Sequence, residues 1–120
     1  MSKIVLVDDS YAELQLIEKC LKAANHTVVS FLNAEKLEEK VVSEKPDLIV
    51  LDVVMPGRNG FQACRDLKND DRCKNIPIIL CTSKANESDK FWGQQQGANA
   101  HVSKPFKNEE LLAAVKRVLA

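Results

Sequence analysis

A chain of 120 residues with 45% hydrophobic and 28% charged side chains has the size and balance of one globular domain, which excludes disorder, collagen-like repeats and mucin-like stalks. Seventeen basic and 17 acidic side chains cancel to a formal charge of zero, so no bulk field attracts nucleic acid or anionic membranes, and direct binding to either is not expected. No apolar run approaches the roughly 18 residues of a membrane span, and a strand-like stretch follows Met-Ser-Lys at once, so no signal peptide is expected.

The first strand is expected at residues 4–7. A helix should then start at Ser10, where Ser10-Tyr11-Ala12-Glu13 has the form of a capping box, and Leu14, Ile17, Leu21 and Ala24 repeat at helical spacing. A second strand, 27–31, leads to a weaker helix at about 34–43, with Leu37, Val41 and Val42 facing inward and Pro46 closing the connection. The third strand, 47–51, is followed by a helix from near Gly60 towards Asn69. The fourth, 76–80, leads to the least convincing helix, 86–96, because Gly93 inside it costs roughly 1 kcal/mol against Ala and its apolar stripe is thin. Of its adjacent aromatics, Phe91 and Trp92, either one packs on the sheet and the other is a candidate partner contact, or both are partly buried by neighbouring helices. A short strand at 100–102 precedes the last helix. Asn108 should cap that helix, Glu109 and Glu110 fill its first turn, Leu111, Leu112, Val115, Val118 and Leu119 form its stripe, and Lys116 and Arg117 complement its end.

Five alternations of strand and helix imply an α/β fold, a single doubly wound five-stranded parallel sheet flanked by five helices. The common doubly wound orders for five such units include 2-1-3-4-5, which puts the switch point at the carboxyl ends of strands 1 and 3, where ligands bind in such sheets. The residues just after the strands are therefore the candidates for function. Asp8 and Asp9 follow strand 1. Asp52 follows strand 3, with Met55-Pro56-Gly57 and Gly60 beyond it; Thr82 follows strand 4 and Lys104-Pro105 follows strand 5. Three convergent carboxylates repel one another unless a cation joins them, and oxygen ligands of this kind suit Mg2+. Lys104 adds a mobile point charge for an anion. The pattern fits a metal and a phosphoryl group held side by side.

Each feature alone has a plainer reading. Asp8-Asp9 could be an acidic helix entry, Thr82 and Ser83 a cap, and Lys104 a solvated lysine. The cysteines, Cys20, Cys64, Cys73 and Cys81, lack CxxC spacing and the only histidines are His26 and His101, so reduced and mostly buried thiols in a cytoplasmic protein are expected. A Cys64–Cys73 disulfide is conceivable, but a reducing compartment argues against it. His101 reads as a packing residue before a metal ligand.

Together, Asp8-Asp9, Asp52 with Met55-Pro56 and Gly60, Thr82, and Lys104-Pro105-Phe106 resemble the receiver domain of two-component response regulators, and the resemblance spans residues 1–120 with no output domain expected. Residues 52–64 (DVVMPGRNGFQAC) and 87–97 (ESDKFWGQQQG) look like stand-alone, PilH-type receivers of type IV pilus motility. The resemblance implies that Asp52 is the phosphoacceptor, a nucleophile towards phosphohistidine on a sensor kinase. Asp9 would bind Mg2+ directly and Asp8 through water, with Asp52 and the Val54 backbone carbonyl completing the protein ligands. Lys104 and Thr82 would contact phosphoryl oxygens, and the Lys104-Pro105 bond would be cis. Val54 and Lys84 occupy the positions that tune phosphoryl lifetime. His101 stands where many receivers carry an aromatic switch residue, so that switch does not simply carry over.

The implied partners are a sensor histidine kinase, a CheA-like one among the candidates, and a protein target on the face of helix 4, strand 5 and helix 5. The alternatives are a phosphate sink for a kinase shared with another regulator and a phosphorylation-independent scaffold. No enzyme activity is expected beyond autophosphorylation and autodephosphorylation. A haloacid-dehalogenase-type phosphatase would need a second acid where Val54 stands, and a flavodoxin-like carrier would need a Ser/Thr/Gly phosphate loop where Asp8-Asp9 stand. Neither G-x-G-x-x-G nor a P-loop occurs.

Overall fold

The computed structural model describes residues 2–83 and 94–120. Its elements are β1 (Lys3–Val7), α1 (Tyr11–Ala23), β2 (Thr27–Phe31), α2 (Leu37–Glu44), β3 (Leu48–Asp52), α3 (Gly60–Asn69), β4 (Ile78–Thr82), β5 (Ala100–Ser103) and α4 (Asn108–Leu119). The five strands form one parallel sheet in the order β2-β1-β3-β4-β5. The helix expected at 86–96 falls mostly outside the described residues, as do Phe91 and Trp92.

Alternation along the strands divides the core in two. Val5, Val7, Ile49, Leu51, Ile78 and Leu80 meet Leu37 and Val41 of α2 and Ala63, Cys64 and Leu67 of α3 on one face. Ile4, Leu6, Leu48, Val50, Ile79 and Val102 meet Leu14, Ile17 and Leu21 of α1 and Leu111 and Val115 of α4 on the other. Every residue of β3 and β4 is buried, as strands covered on both faces require. All four cysteines are free and buried, so no Cys64–Cys73 bridge forms. Among the described residues no helix is long and apolar enough to cross a membrane.

Several expected boundaries move, each for a local reason. β4 starts at Ile78, not Ile76, because Pro77 offers only its carbonyl, which accepts from Ile49 N at 3.0 Å. α2 starts at Leu37, not Ala34: Asn33 Oδ1 captures Glu35 N–H at 3.0 Å, and Lys36 is left-handed with φ of 52°. Asn108 is the first residue of α4 and not its cap; Lys107 stands in the cap position, its N–H directed to Glu110 Oε1 at 3.4 Å.

Candidate functional site

Strand register builds the site. Val7 of β1 pairs with Leu51 of β3, so the next residues, Asp8 and Asp52, emerge side by side at the carboxyl end of the sheet. Asp52 pairs in turn with Cys81, which places Thr82 one step further along β4, fully buried and opposite Ser103. Lys104 directly follows β5, its N–H bonded to the Thr82 carbonyl at 2.8 Å and its peptide bond to Pro105 cis.

Gly60 closes the loop after Asp52. Its N–H bonds to the Val53 carbonyl at 2.9 Å, and a Cβ on Gly60 would lie 2.3 Å from the Asp52 carbonyl oxygen, so only glycine fits. Arg58 ties the same loop outward, forking onto Glu38 of α2 at 2.8 Å and reaching Asp66 of α3 at 3.2 Å. Val54 lies between these two restraints and is half exposed.

The chemistry centres on the Lys104 ammonium. It donates to Asp8 Oδ2 at 2.9 Å, Asp52 Oδ1 at 3.0 Å and Glu13 Oε2 at 2.6 Å. Asp8 and Asp52 are buried and Asp9 is exposed. Carboxylate oxygens of Asp8, Asp9 and Asp52 lie within 4.8 Å of one another. A cleft of about 360 Å³ opens onto them, lined by Asp9, Glu13, Asp52, Val54, Ser83, Lys104 and Pro105.

Burial pushes the Asp52 carboxyl up to about 6, against the pull of Lys104 and with help from Asp8 and Asp9. Burial likewise raises Asp8, although the Ser10 N–H and Lys104 oppose it. Burial lowers Lys104, but Glu13, Asp8 and Asp52 outweigh it and hold the ammonium above the ordinary lysine value. Four carboxylates thus face one ammonium, and the excess negative charge sits on hard oxygen donors. That donor set fits a divalent cation such as Mg2+, with Asp8, Asp9 and Asp52 as the residues able to hold it.

The structure brings together Asp8, Asp9, Asp52, Thr82, Lys104 and Val54 at one end of the sheet. His101 lies apart, half-buried on β5 opposite Leu80, and alternation turns it to the face away from Ala100 and Val102. Lys84 lies outside the described residues.

Glu13 is the site residue that the sequence pattern does not reveal. Its spacing from Ser10 marks it as the reciprocal arm of a capping box, but only half of that box forms. Ser10 Oγ accepts from Glu13 N at 3.4 Å, whereas the Ser10 N–H goes to Asp8 Oδ1 at 2.9 Å, which frees the Glu13 carboxylate for Lys104. Nothing local in the sequence distinguishes the two uses, because Lys104 is 91 positions away.

Comparison with known proteins agrees with this geometry. Residues 4–116 match the response regulator receiver domain. Protein PilH of Pseudomonas aeruginosa PAO1 is 41% identical over 120 residues, spanning 100% of this chain and 99% of PilH. The chemotaxis protein CheY4 of Vibrio cholerae superimposes with a TM-score of 0.92 at 30% identity, covering 99% of each chain. The receiver domain of the sensor histidine kinase PA1611 from P. aeruginosa PAO1, whose structure has a magnesium ion coordinated in the active-site cleft, superimposes with a TM-score of 0.89 at 26% identity over 98% of this chain and 97% of that one. A full-length relative and a sheet whose acidic switch point carries its lysine on the loop after the last strand lead to one assignment: this chain belongs to the response regulator receiver domain family.

Proposed function

We propose that the chain is a stand-alone response regulator that accepts a phosphoryl group from a sensor histidine kinase on Asp52. The observation that carries this reading is the buried Asp52 carboxylate at the sheet's switch point, its Oδ1 3.0 Å from Lys104 Nζ. With Oδ1 engaged, Oδ2 is the oxygen that attacks phosphorus, the P–N bond of phosphohistidine breaks, and the kinase imidazole leaves with the electron pair and takes a proton. Asp8, Asp9, Asp52 and the Val54 carbonyl would hold one Mg2+, which when bound neutralises charge on the transferring group. Lys104 orients and stabilises phosphoryl oxygens. Thr82, buried at the end of β4, is the hydroxyl placed to follow the new charge.

The identity to PilH supports a role in a cytoplasmic pathway of type IV pilus motility, with a protein target on a face that includes β5 and α4. Intact-mass analysis after incubation with a small-molecule phosphodonor tests the chemistry. A single phosphoryl adduct that requires Mg2+ and is absent from Asp52→Ala is the expected result. A modification that persists in Asp52→Ala, or no adduct from a donor that modifies a control receiver, overturns the assignment and favours a phosphorylation-independent scaffold.

A further inference from the structure

A lysine ammonium has three N–H donors, and Lys104 directs them to three carboxylates: Asp8, Asp52 and Glu13. A phosphoryl oxygen arriving at Asp52 therefore meets an ammonium whose donors are all engaged, so one contact must open. Asp8 is 1% exposed, and losing Lys104 would leave a buried carboxylate short of its cation. Asp52 is the attacking residue and stays within reach of the ammonium. Glu13 is 50% exposed, so water can solvate its carboxylate when it lets go. Its contact is the shortest of the three at 2.6 Å, yet it is the one least costly to release.

Glu13 also occupies a junction. A second groove of about 740 Å³ runs between α1 and α4, lined by residues including Leu16, Ile17, Phe106 and Leu112. Glu13, Lys104 and Pro105 border both this groove and the Asp52 cleft. The carboxylate thus has room to swing outward without disturbing the core.

We infer that Glu13 is a positioning residue that holds Lys104 in the resting state and competes with the incoming phosphoryl group for its third donor. The inference rests on Asp52 being the phosphoacceptor. Displaced by the phosphoryl group, Glu13 leaves one negative charge fewer against Lys104, while in the resting state that same charge favours a bound cation.

The test titrates beryllofluoride, a phosphoryl mimic, into the full chain at saturating Mg2+ and follows bound mimic by fluorine NMR; Mg2+ alone is titrated separately by calorimetry. Wild type, Glu13→Gln, Glu13→Ala and Asp52→Ala are compared. Both Glu13 variants should bind the mimic about two- to fivefold more tightly, the range for a half-exposed ion pair, and bind Mg2+ alone more weakly. These opposite signs separate a latch from simple loosening of α1, which would weaken both. Unchanged or weaker mimic binding in the two Glu13 variants, with the wild type binding normally, overturns the inference while leaving Asp52 as acceptor. Failure of the wild type to bind the mimic any better than Asp52→Ala overturns the phosphoacceptor reading itself, and the Glu13 inference with it.

Discussion

Lys104 Nζ lies 3.0 Å from Asp52 Oδ1 although the residues are 52 positions apart in sequence. The contact bridges β4: Asp52 ends β3, Lys104 follows β5, and the lysine backbone is pinned to the Thr82 carbonyl between them. One ammonium so placed cannot neutralise Asp8, Asp9, Glu13 and Asp52 together. The site is held in electrostatic tension, and that imbalance governs how the protein responds to pH, to Mg2+ and to loss of a charged side chain.

Asp52→Asn should stabilise the protein in a chelating buffer. The folded carboxyl titrates near 6 instead of its ordinary 3.8, so between those values the native state binds more protons than the unfolded chain and stability falls as pH rises. The penalty is complete above about pH 7. A shift of this size corresponds to about 3 kcal/mol at most, reduced by the weaker pairing of an amide with Lys104, so a gain of about 1–3 kcal/mol at pH 7.5 that shrinks towards pH 4 is expected. Urea denaturation at the two pH values measures it, and a variant less stable than wild type at pH 7.5 contradicts it.

Lys104→Met leaves Asp8 and Asp52 buried with no cation. In chelator this should cost about 2–4 kcal/mol. Millimolar Mg2+ should recover part of the loss, because a divalent ion can take over the ammonium's role and no longer competes with it. Thermal melts with and without Mg2+ provide the comparison; an equal deficit in both conditions would show that the lysine acts through packing alone.

Gly60→Ala sets a methyl group against the Asp52 carbonyl at 2.3 Å, and backbone cannot yield as a side-chain tip can. A loss of about 2 kcal/mol or more is expected, together with weaker Mg2+ binding, because the displaced loop carries Val54. Denaturation and a Mg2+ titration check the two effects. Full stability in this variant would mean that the loop closes less tightly in solution.

Val54 borders the Asp52 cleft, half exposed and apolar. It offers no group to orient a water for attack on an acyl phosphate. Val54→Asn should therefore lose its phosphoryl group faster than wild type, by several-fold, when decay is followed by mass after removal of the donor. An unchanged or slower decay rules out this role for the side chain.

How much of the fold and the site was legible in the chain depends on the range of the interaction concerned. The strand-helix alternation, the apolar runs of β3 and β4 and the stripes of α1 and α4 are local patterns, so the parallel doubly wound sheet came from residue spacing and the general rules of winding, whereas its order was one of several common ones until strand pairing fixed it. Asp8, Asp9, Asp52, Thr82 and Lys104 were legible for the same reason: each follows or ends a strand, and parallel strands bring those ends together. Boundaries were less so. The apolar run into β4 begins at Ile76, but Pro77 has no N–H for the ladder and moves the strand start to Ile78, and the start of α2 was set by Asn33 capturing a backbone N–H, a choice between competing hydrogen bonds that composition does not reveal.

The alternation of elements and the side chains that stand at the ends of the strands follow from neighbours a few residues apart, and so can be read along the chain. How those side chains share one cation depends on contacts that only folding creates. Glu13 had two partners to choose from, a backbone N–H three residues back or an ammonium 91 residues ahead, and the folded chain gave the N–H to Asp8 and the ammonium to Glu13. Both contacts engage an ionised carboxylate, but the ammonium donor carries a full charge and the N–H does not, so the ion pair outweighs the helix-end hydrogen bond, and only the fold brings the two into competition.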